Sequence, residues 1–298
     1  MLKGENEMEI WNKIVALIMV LFGMTGSIPA QSQSEIPENA ETYDITAMTY
    51  NVYISGAGKK SPENRSAGVI NNLRNVMPDV FGLQEADYDW IQRISAGMPE
   101  YSFVGVGRND GANDGEFSPL FYNSEKYGIV SSGTFWFSDT PDTPSVTWAG
   151  MYKRICSWAV LEDKETGFVF ASFNSHWDHL SVTSRNKSAE LLLAKIEEYA
   201  PDMPVVIMGD FNCKAETVAY ETLINGGFVD SRYVSAVTDS SITYHGYNSL
   251  TVDDKIIDHI LFKNVYGYAN SYKVVTDKYD GIYSSAHFPV VSQITLYK

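Results

Sequence analysis

The sequence predicts a mixed α/β domain in which two β-sheets pack face to face and helices cover their outer sides. Three observations lead to this fold class. Hydrophobic residues make up 44% of the 298-residue chain, which is ample for a large buried core. Helical patterns occur in two places, over residues 61–98 and 181–227, and strands joined by turns lie between them. No internal repeat interrupts the sequence after residue 42, so one domain is expected over residues 42–298.

The first thirty residues are predicted to be a signal peptide and not part of the fold. The stretch "KIVALIMVLFGM" is an apolar run of signal-peptide length, and small residues follow it up to Ala30, before a possible cleavage site. The run is too short to span a membrane comfortably, although the glutamates ahead of it leave an uncleaved anchor open. We therefore expect export to the periplasm or the extracellular space, with residues 31–41 as a short linker.

The first part of the domain is predicted to alternate strands and helices. The stretch "YDITAMTYNV" is typical of a buried strand. Residues 61–78 predict a helix, because Ser61 can cap it, Pro62 suits its first turn and Pro78 stops it. A second strand, "DVFGLQE", and a second short helix, "DYDWIQRISAGM", follow.

The rest of the domain differs, because a meander of strands comes before the next helix. These strands are "YSFVGVG", "FSPLFYN", "GIVSSGTFWFS", "ICSWAVLED" and "FVFASFNSHW". A long helix within residues 181–200, the strand "PVVIMGDF", a short helix ending at "NGG" and three closing strands complete the chain.

The charge and the cysteine content exclude some classes of protein. Lys and Arg number 22 against 37 Asp and Glu, so the formal net charge is -15. This charge repels phosphate polyanions unless metal ions or local basic residues compensate, and it excludes tight, non-specific binding to long DNA. Cys156 and Cys213 are expected to be buried free thiols, although a single disulfide between them stays open.

Polar residues that can carry chemistry recur at the ends of predicted strands. Each of them alone has an ordinary structural explanation, such as a turn residue or a helix cap. Strand ends often share one rim of a sheet protein, however, where polar groups converge above an apolar scaffold. The recurrence therefore indicates a site formed by Asn51, Glu85, His176, Asp210 and Asn212.

The stretches "TYNV", "LQE", "GDFN", "IDHIL" and "SAHFPV" occur in this order, and together they resemble the endonuclease/exonuclease/phosphatase superfamily. The resemblance covers residues 42–298. It implies an α/β fold of the α/β/β/α type, a four-layered sandwich of two mixed sheets with the helices outside. It also implies a metal-dependent phosphoester hydrolase, whether phosphodiesterase, nuclease or phosphatase, that uses an activated water.

The resemblance implies a metal site and a water site. Glu85, helped by Asn51, would hold a divalent cation, and oxygen ligands of this kind suit Mg²⁺ or Mn²⁺ better than zinc. The cation would offset the acidity of the chain. Asp210 and Asn212 match the positions that orient and activate the attacking water and steady the phosphoryl oxygens.

The resemblance also implies two histidines beside the scissile phosphate, His176 and His287. Asp258 matches the carboxylate that pairs with the last histidine and fixes its tautomer. The chain departs from the family at Ala286, because the closing motif is usually Ser-Asp-His and the missing Asp usually helps to shape the metal site. The alternative is therefore a non-catalytic or impaired binding module.

Three further residues are assigned to substrate binding. Arg108 lies in a polar, glycine-rich loop, where it could bind phosphate or simply pair with Asp110 or Glu116. His245 lies in a loop ahead of the Asp258 strand, where it could contact substrate or belong to a turn. Asn174 is the third.

Asn174 also bears on a competing class of enzyme. The stretch "NSHWDH" resembles the His-x-His-x-Asp-His signature of metallo-β-lactamase-like zinc hydrolases, but Asn174 replaces the first histidine. The zinc hydrolase is therefore the weaker alternative, in which His179 would be a ligand.

The substrate class is left broad by the sequence. A small molecule, a lipid headgroup or a nucleic acid could supply the phosphoester, and Trp136 and Trp148 could contact its organic part. No obligate protein partner is indicated, and a monomer is expected.

Overall fold

The computed structural model describes residues 40–53, 61–247, 255–263 and 268–297, which belong to a unit spanning residues 33–298. The predicted signal peptide lies outside the described residues. Among the described residues, no helix combines the length and the apolar character that a membrane crossing requires.

The first sheet has seven strands and is mixed. Its central strand runs antiparallel to the last strand of the chain and parallel to the second, so the N-terminal and C-terminal segments meet in the middle of the sheet. In the order β10-β12-β13-β1-β2-β4-β3, the strands are β10 (Ser235–Val237), β12 (Tyr268–Val274), β13 (Val290–Tyr297), β1 (Thr42–Asn51), β2 (Val80–Gln84), β4 (Leu120–Asn123) and β3 (Tyr101–Val104).

The second sheet has six strands and is also mixed. Its strands β7 and β8 are parallel, and a long helix connects them, as parallel pairing requires. In the order β5-β6-β7-β8-β11-β9, the strands are β5 (Tyr127–Trp136), β6 (Ile155–Asp163), β7 (Val169–His176), β8 (Val205–Asp210), β11 (Asp258–Lys263) and β9 (Val229–Asp230).

In the described part of the chain, five helices accompany the two sheets. Each of them begins at the side chain of a capping residue or at an N-terminal proline, for example at Ser181, whose side chain accepts a hydrogen bond from the N–H of Ser184. The helices are α1 (Pro62–Val76), α2 (Tyr88–Gly97), α3 (Val182–Tyr199), α4 (Val218–Asn225) and α5 (Ser231–Val234).

Three apolar clusters show that the layers are stacked in the predicted order. The central cluster joins the inner faces of the two sheets, as where Val80 of β2 packs with Met208 of β8. A second cluster packs α1 and α2 on the first sheet, and a third packs α3 and α4 on the second. Removing this surface from water supplies the main stabilisation, about 25 cal/mol for each Å² of apolar area. The predicted four-layered α/β/β/α sandwich is therefore confirmed.

Some details differ from the predictions. The middle strands are not one meander, because β3 and β4 join the edge of the first sheet while β5, β6 and β7 form the second. Alternation of apolar residues shows that a segment is a strand but not which sheet it joins. The prediction missed β9, α5 and β10, which at two to four residues are too short to carry a periodic pattern.

The capping prediction for α1 is half right. Ser61 stands at the N-cap with extended backbone, but its side chain makes no capping hydrogen bond. Its hydroxyl oxygen instead accepts a hydrogen bond from the side-chain amide of Asn64 at 3.1 Å.

Candidate active site

The predicted strand-end residues meet at one rim, where both sheets contribute. Asn51 ends β1 and Glu85 directly follows β2, its parallel neighbour in the first sheet. His176 and Asp210 end β7 and β8 and are paired in register in the second sheet. Asp258 begins β11, which runs antiparallel to β8, and lies opposite Asp210. The sandwich therefore brings these five side chains to the same end of the core.

The carboxylate of Asp210 is the centre of this group, and only 1% of the residue is exposed. Its Oδ2 accepts a hydrogen bond from Asn51 Nδ2 at 2.9 Å and lies 3.5 Å from His176 Nε2 and 3.8 Å from His287 Nε2. Its Oδ1 accepts a hydrogen bond from the backbone N–H of Asn212 at 2.9 Å. Burial and the charge of Asp258 raise the pKa of Asp210 to about 7.

His287 has the expected partner on another strand. Its Nδ1 lies 2.9 Å from Asp258 Oδ2 and 3.1 Å from Asp258 Oδ1, which leaves Nε2 facing Asp210. Burial alone would lower the pKa of His287, but the negative charges of Asp258 and Asp210 outweigh it and raise the pKa to about 9. His287 is therefore held as an imidazolium at neutral pH.

His176, unlike His287, is held in its neutral form. Burial lowers its pKa well below the usual value, and the positive charges of Arg154 and Arg108 lower it further. Its Nε2 faces Asp210 at 3.5 Å, and within the described part of the chain its Nδ1 has no hydrogen-bond partner. His176 is therefore neutral, and one of its ring nitrogens is available for a hydrogen bond.

The turn after β8 holds the water-site candidates in place. Asn212 has a φ of 49°, a left-handed conformation that asparagine tolerates, and its Nδ2 donates to the backbone oxygen of Trp177 at 3.0 Å. Gly209 has a φ of 153°, and a Cβ there would lie 2.0 Å from the backbone oxygen of Ser175. The close approach of β7 to β8 thus requires glycine in "GDFN".

The candidate metal site has a different arrangement from the one expected. Asn51 directs its Nδ2, not its oxygen, towards the carboxylates of Glu85 (3.0 Å) and Asp210 (2.9 Å), and its Oδ1 accepts the N–H of Tyr53. Glu85, His176 and Asp210 each offer a ligand atom, and these three atoms lie within 4.8 Å of one another. The sequence placed Glu85 and His176 in one site but gave no sign that His176 would be within reach of the same cation.

The assignment of Asn174 to substrate binding is corrected by its surroundings. Asn174 is fully buried, and its Nδ2 donates to the backbone oxygens of Leu83 and Pro119, both at 2.8 Å. Its Oδ1 accepts a hydrogen bond from Gln84 Nε2 at 2.6 Å. A Cβ on Gly82 would lie 2.3 Å from Asn174, which shows how closely the two sheets approach here. Asn174 therefore joins the sheets beneath the site and does not face substrate.

The structure places His245 as a packed ring instead of a substrate contact. It is 5% exposed, stacks on Phe288 with ring centroids 4.2 Å apart, and accepts the N–H of Tyr247 at Nδ1. Burial lowers its pKa to about 4, so it is neutral. Its backbone N–H donates to the oxygen of Ala286, so this loop supports the segment that carries His287.

Arg108 makes the ion pair that the sequence left as an alternative to phosphate binding. Its Nη1 lies 2.7 Å from Glu116 Oε2, and both side chains are largely buried. Its backbone oxygen accepts a hydrogen bond from Trp136 Nε1 at 2.8 Å, so this buried tryptophan holds the loop and is not an exposed contact. Trp148 is also engaged, because its Nε1 donates to Asp139.

Two residues at the site were missed by the sequence interpretation. Ser285 donates from its hydroxyl to the backbone oxygen of Asn51 at 2.6 Å and accepts the N–H of His287, which ties the two segments together. Arg154 lies beside His179, with Nη2 3.1 Å from Nδ1. Ser285 is the serine of the closing motif, so the sequence did carry a signal for it although no role was assigned, whereas a single arginine next to a strand has no distinctive pattern. His179 does not join the Glu85 ligand group, which removes support for the zinc alternative.

Comparison with known proteins shows one matching family and several similar structures. The Endonuclease/Exonuclease/phosphatase family matches residues 48–280. A structure of a family protein from Bacteroides thetaiotaomicron is 30% identical, covers 86% of this chain and 99% of its own, and has a TM-score of 0.81. A mannosyl-6-phosphatase from Bacteroides thetaiotaomicron VPI-5482 is 30% identical, covers 84% of this chain and 99% of its own, and has a TM-score of 0.79. The uncharacterized protein L388 of Acanthamoeba polyphaga mimivirus is 28% identical over 77% of this chain and 90% of its own length.

Proposed function

This chain belongs to the endonuclease/exonuclease/phosphatase family, and from that premise we propose that it is a divalent-metal-dependent phosphoesterase that uses an activated water. The observation that carries the proposal is the buried carboxylate of Asp210 between His176 and His287. Because its pKa is raised to about 7, this carboxylate can accept a proton from water at neutral pH, as a general base must.

The charges of the site fit a complete proton balance. Water attacks phosphorus, Asp210 takes the proton that the water loses, and the bond from phosphorus to the leaving oxygen breaks. His287 gives its Nε2 proton to that oxygen, which suits an imidazolium held by Asp258. Since Asp210 Oδ2 lies 3.8 Å from His287 Nε2, the proton on Asp210 can then pass back to His287. Neutral His176 faces the phosphoryl oxygens.

The side chains fit a hard divalent cation. Glu85 and Asp210 both accept hydrogen bonds from the side-chain NH2 group of Asn51, so two carboxylates already converge on one position of positive partial charge. Carboxylates are ligands that Mg²⁺ and Mn²⁺ prefer. We therefore propose Glu85 as the main ligand, with Asp210 and His176 within reach, and Asn51 as a support for Glu85. A metal bound there would add positive charge next to the phosphoryl oxygens.

The test is a panel of phosphate monoesters and diesters with the full chain. Mg²⁺, Mn²⁺ and Zn²⁺ are supplied separately, and Asp210→Asn serves as the inactive control. We expect hydrolysis with Mg²⁺ or Mn²⁺ that the control lacks. Metal binding without hydrolysis of any ester would instead favour the binding module, in which the alanine at 286 marks lost chemistry.

We also propose that residues 1–30 direct export and are removed after Ala30. The support is the apolar run and the small residues that follow it. Mass spectrometry of the protein secreted by a bacterial host should give an N-terminus at Gln31. Retention of Met1 in a membrane fraction would favour an uncleaved anchor.

A further inference from the structure

The side chain of Arg154 is buried, and within the described part of the chain it contacts no carboxylate directly. Only 5% of the residue is exposed, and its Nη2 lies 3.1 Å from His179 Nδ1. Among the described residues, its Nε and Nη1 have no hydrogen-bond partner and no carboxylate lies within ion-pair distance. A buried cation with open donors is costly unless an anion completes its hydrogen bonds.

Arg108, in the same region, is a guanidinium that has a carboxylate partner. It pairs with Glu116 at 2.7 Å, whereas Arg154 has no such partner. The ring of Tyr152 lies against both, 5.3 Å from the guanidinium carbon of Arg108 and 5.9 Å from that of Arg154. Glu116, Asp178 and Asp210 act on Arg154 only through their charges, so among the described residues Arg154 is the guanidinium of this pair that lacks a direct contact with a carboxylate.

Arg154 lies on the side of the rim that carries His176. It is two residues before Cys156, which pairs with Ser175 where β6 runs beside β7, so it reaches the end of β7 that His176 occupies. Its positive charge contributes to the low pKa of His176, and Asp210 in turn acts on Arg154. The residue is as deeply buried as His176 and His287, the groups proposed to meet the substrate.

A shallow surface depression lies beside the segment that follows His179. It has a volume of about 420 Å³ and is lined by Ala149, Gly150, Met151, Leu180 and Ser181, the last two of which follow His179 directly.

We propose that Arg154 binds the terminal phosphate of the substrate and that the substrates of this chain are phosphate monoesters. The inference rests on the proposed phosphoesterase function and names its substrate class. A monoester carries close to two negative charges at neutral pH, because its second pKa is about 6. A diester carries one charge and a second ester group in place of an oxygen that could accept from Arg154. The open donors therefore favour the monoester.

The kinetic test compares p-nitrophenyl phosphate with bis(p-nitrophenyl) phosphate at saturating Mn²⁺. We expect Arg154→Gln to lower kcat/KM for the monoester roughly tenfold to a hundredfold, the scale of a lost charge-assisted hydrogen bond, and the diester value by less than about threefold. Arg154→Lys keeps the charge but not the planar guanidinium, so its kcat/KM for the monoester should lie between those of the parent and Arg154→Gln. Arg93→Gln, on the exposed face of α2, is the matched control, and its kcat/KM for both esters should equal that of the parent.

Equal losses for both esters, or no loss for either, would overturn the inference. A parent protein that hydrolyses only the diester also overturns it, while leaving the proposed function intact. Hydrolysis of neither ester contradicts the proposed function, and equilibrium binding then decides the inference by itself. Calorimetry with inorganic phosphate on the Mn²⁺-loaded protein should show binding roughly tenfold weaker for Arg154→Gln. Unchanged phosphate affinity in that variant, with circular dichroism and Mn²⁺ affinity like the parent, would refute the role of Arg154.

Discussion

The two sides of the candidate site differ in charge, although each is built around one buried histidine. On one side, His287 contacts the carboxylate of Asp258 at 2.9 Å, and its pKa is raised to about 9. On the other, His176 lies among arginines, and burial together with their charges lowers its pKa well below the usual value. Asp210 lies between the two, 3.8 Å from one ring and 3.5 Å from the other.

The difference shows how one residue type takes two roles at a distance of a few ångströms. Burial destabilises the charged form of both rings, so the neighbours decide the outcome. The antiparallel pairing of β8 with β11 brings Asp258 to His287, whereas the start of β6 brings Arg154 towards His176. A cationic proton donor and a neutral ring therefore face the same carboxylate, and the chemistry is asymmetric before any substrate binds.

The largest expected effect comes from removing the carboxylate that the two sides share. Asp210→Asn keeps the size of the side chain but cannot accept a proton, so we expect kcat to fall roughly a hundredfold or more, as for the loss of a general base. The fall in kcat is measured by steady-state hydrolysis of the ester that the parent hydrolyses fastest, and the circular dichroism spectrum should stay unchanged. His176→Ala should lose a comparable factor. Near-parental rates in both variants would place the active site elsewhere.

A smaller effect is expected at Ala286, beside the cationic histidine. An aspartate there adds a negative charge near the metal candidates, so we predict that Ala286→Asp tightens Mg²⁺ binding and raises turnover at limiting metal roughly tenfold to a hundredfold. The difference in turnover between Ala286→Asp and the parent should become smaller at saturating Mg²⁺.

Ala286→Asn is the matched control, because it adds similar bulk without charge. The site leaves little room, since Ala286 is 1% exposed and its backbone oxygen accepts the N–H groups of His245 and Gly246. Weaker metal binding in the aspartate variant, with no gain in rate at any Mg²⁺ concentration, would mean that the site has been rebuilt around alanine.

The metal side of the site should show a further, more modest effect. Glu85→Gln removes one negative charge from the group of Glu85, His176 and Asp210, whose ligand atoms lie within 4.8 Å of one another. We expect Mn²⁺ affinity to fall about tenfold or more, since a charged oxygen ligand is replaced by a neutral one. Calorimetry measures the affinity directly. Parental affinity in this variant would show that the cation binds elsewhere.

The sequence alone predicted much of this arrangement, because the motifs stand at strand ends and strand ends meet in a sandwich. The convergence of Glu85 with Asp210 was expected on that basis, and the pairing of Asp258 with His287 was implied by the family resemblance. The boundaries of β6 were also predicted to the residue, since its apolar run ends at a clear turn.

Asn174 shows where such reasoning stops. It lies two residues before His176, so both side chains point to the same face of β7. His176 lies at the rim, but Asn174 lies one step deeper, where the first sheet covers it and Gln84 bonds to it. Depth beneath a partner sheet depends on packing between segments about 90 residues apart, and no local pattern encodes it. Arg154 was missed for a related reason, because its importance comes from the partner that it lacks.

The smallest expected effect concerns a third buried histidine, which tests whether a carboxylate partner is what makes a buried ring cationic. His259 has its Nδ1 3.0 Å from Asp230 Oδ2 and its Nε2 3.0 Å from the backbone oxygen of Cys213. Burial opposes the charged form of His259, but the hydrogen bond and the charge of Asp230 outweigh it and raise its pKa.

A raised pKa in the folded state stabilises the protein fully below the unfolded value of about 6.5, and this contribution is lost as the pH rises through the folded value. Asp230→Asn removes the negative charge beside His259 without changing the size of the side chain. We therefore expect the parent to exceed the variant in Tm by several degrees near pH 6, as for a loss of 1 kcal/mol or more, and by less as the pH rises. Taking the difference between the two proteins cancels the titration of groups common to both, His287 among them. Thermal unfolding followed by circular dichroism from pH 6 to pH 10 measures it. A Tm difference that stays constant or grows with pH would show that His259 is neutral in the folded protein, and the contrast between His287 and His176 would then need a cause other than their charged neighbours.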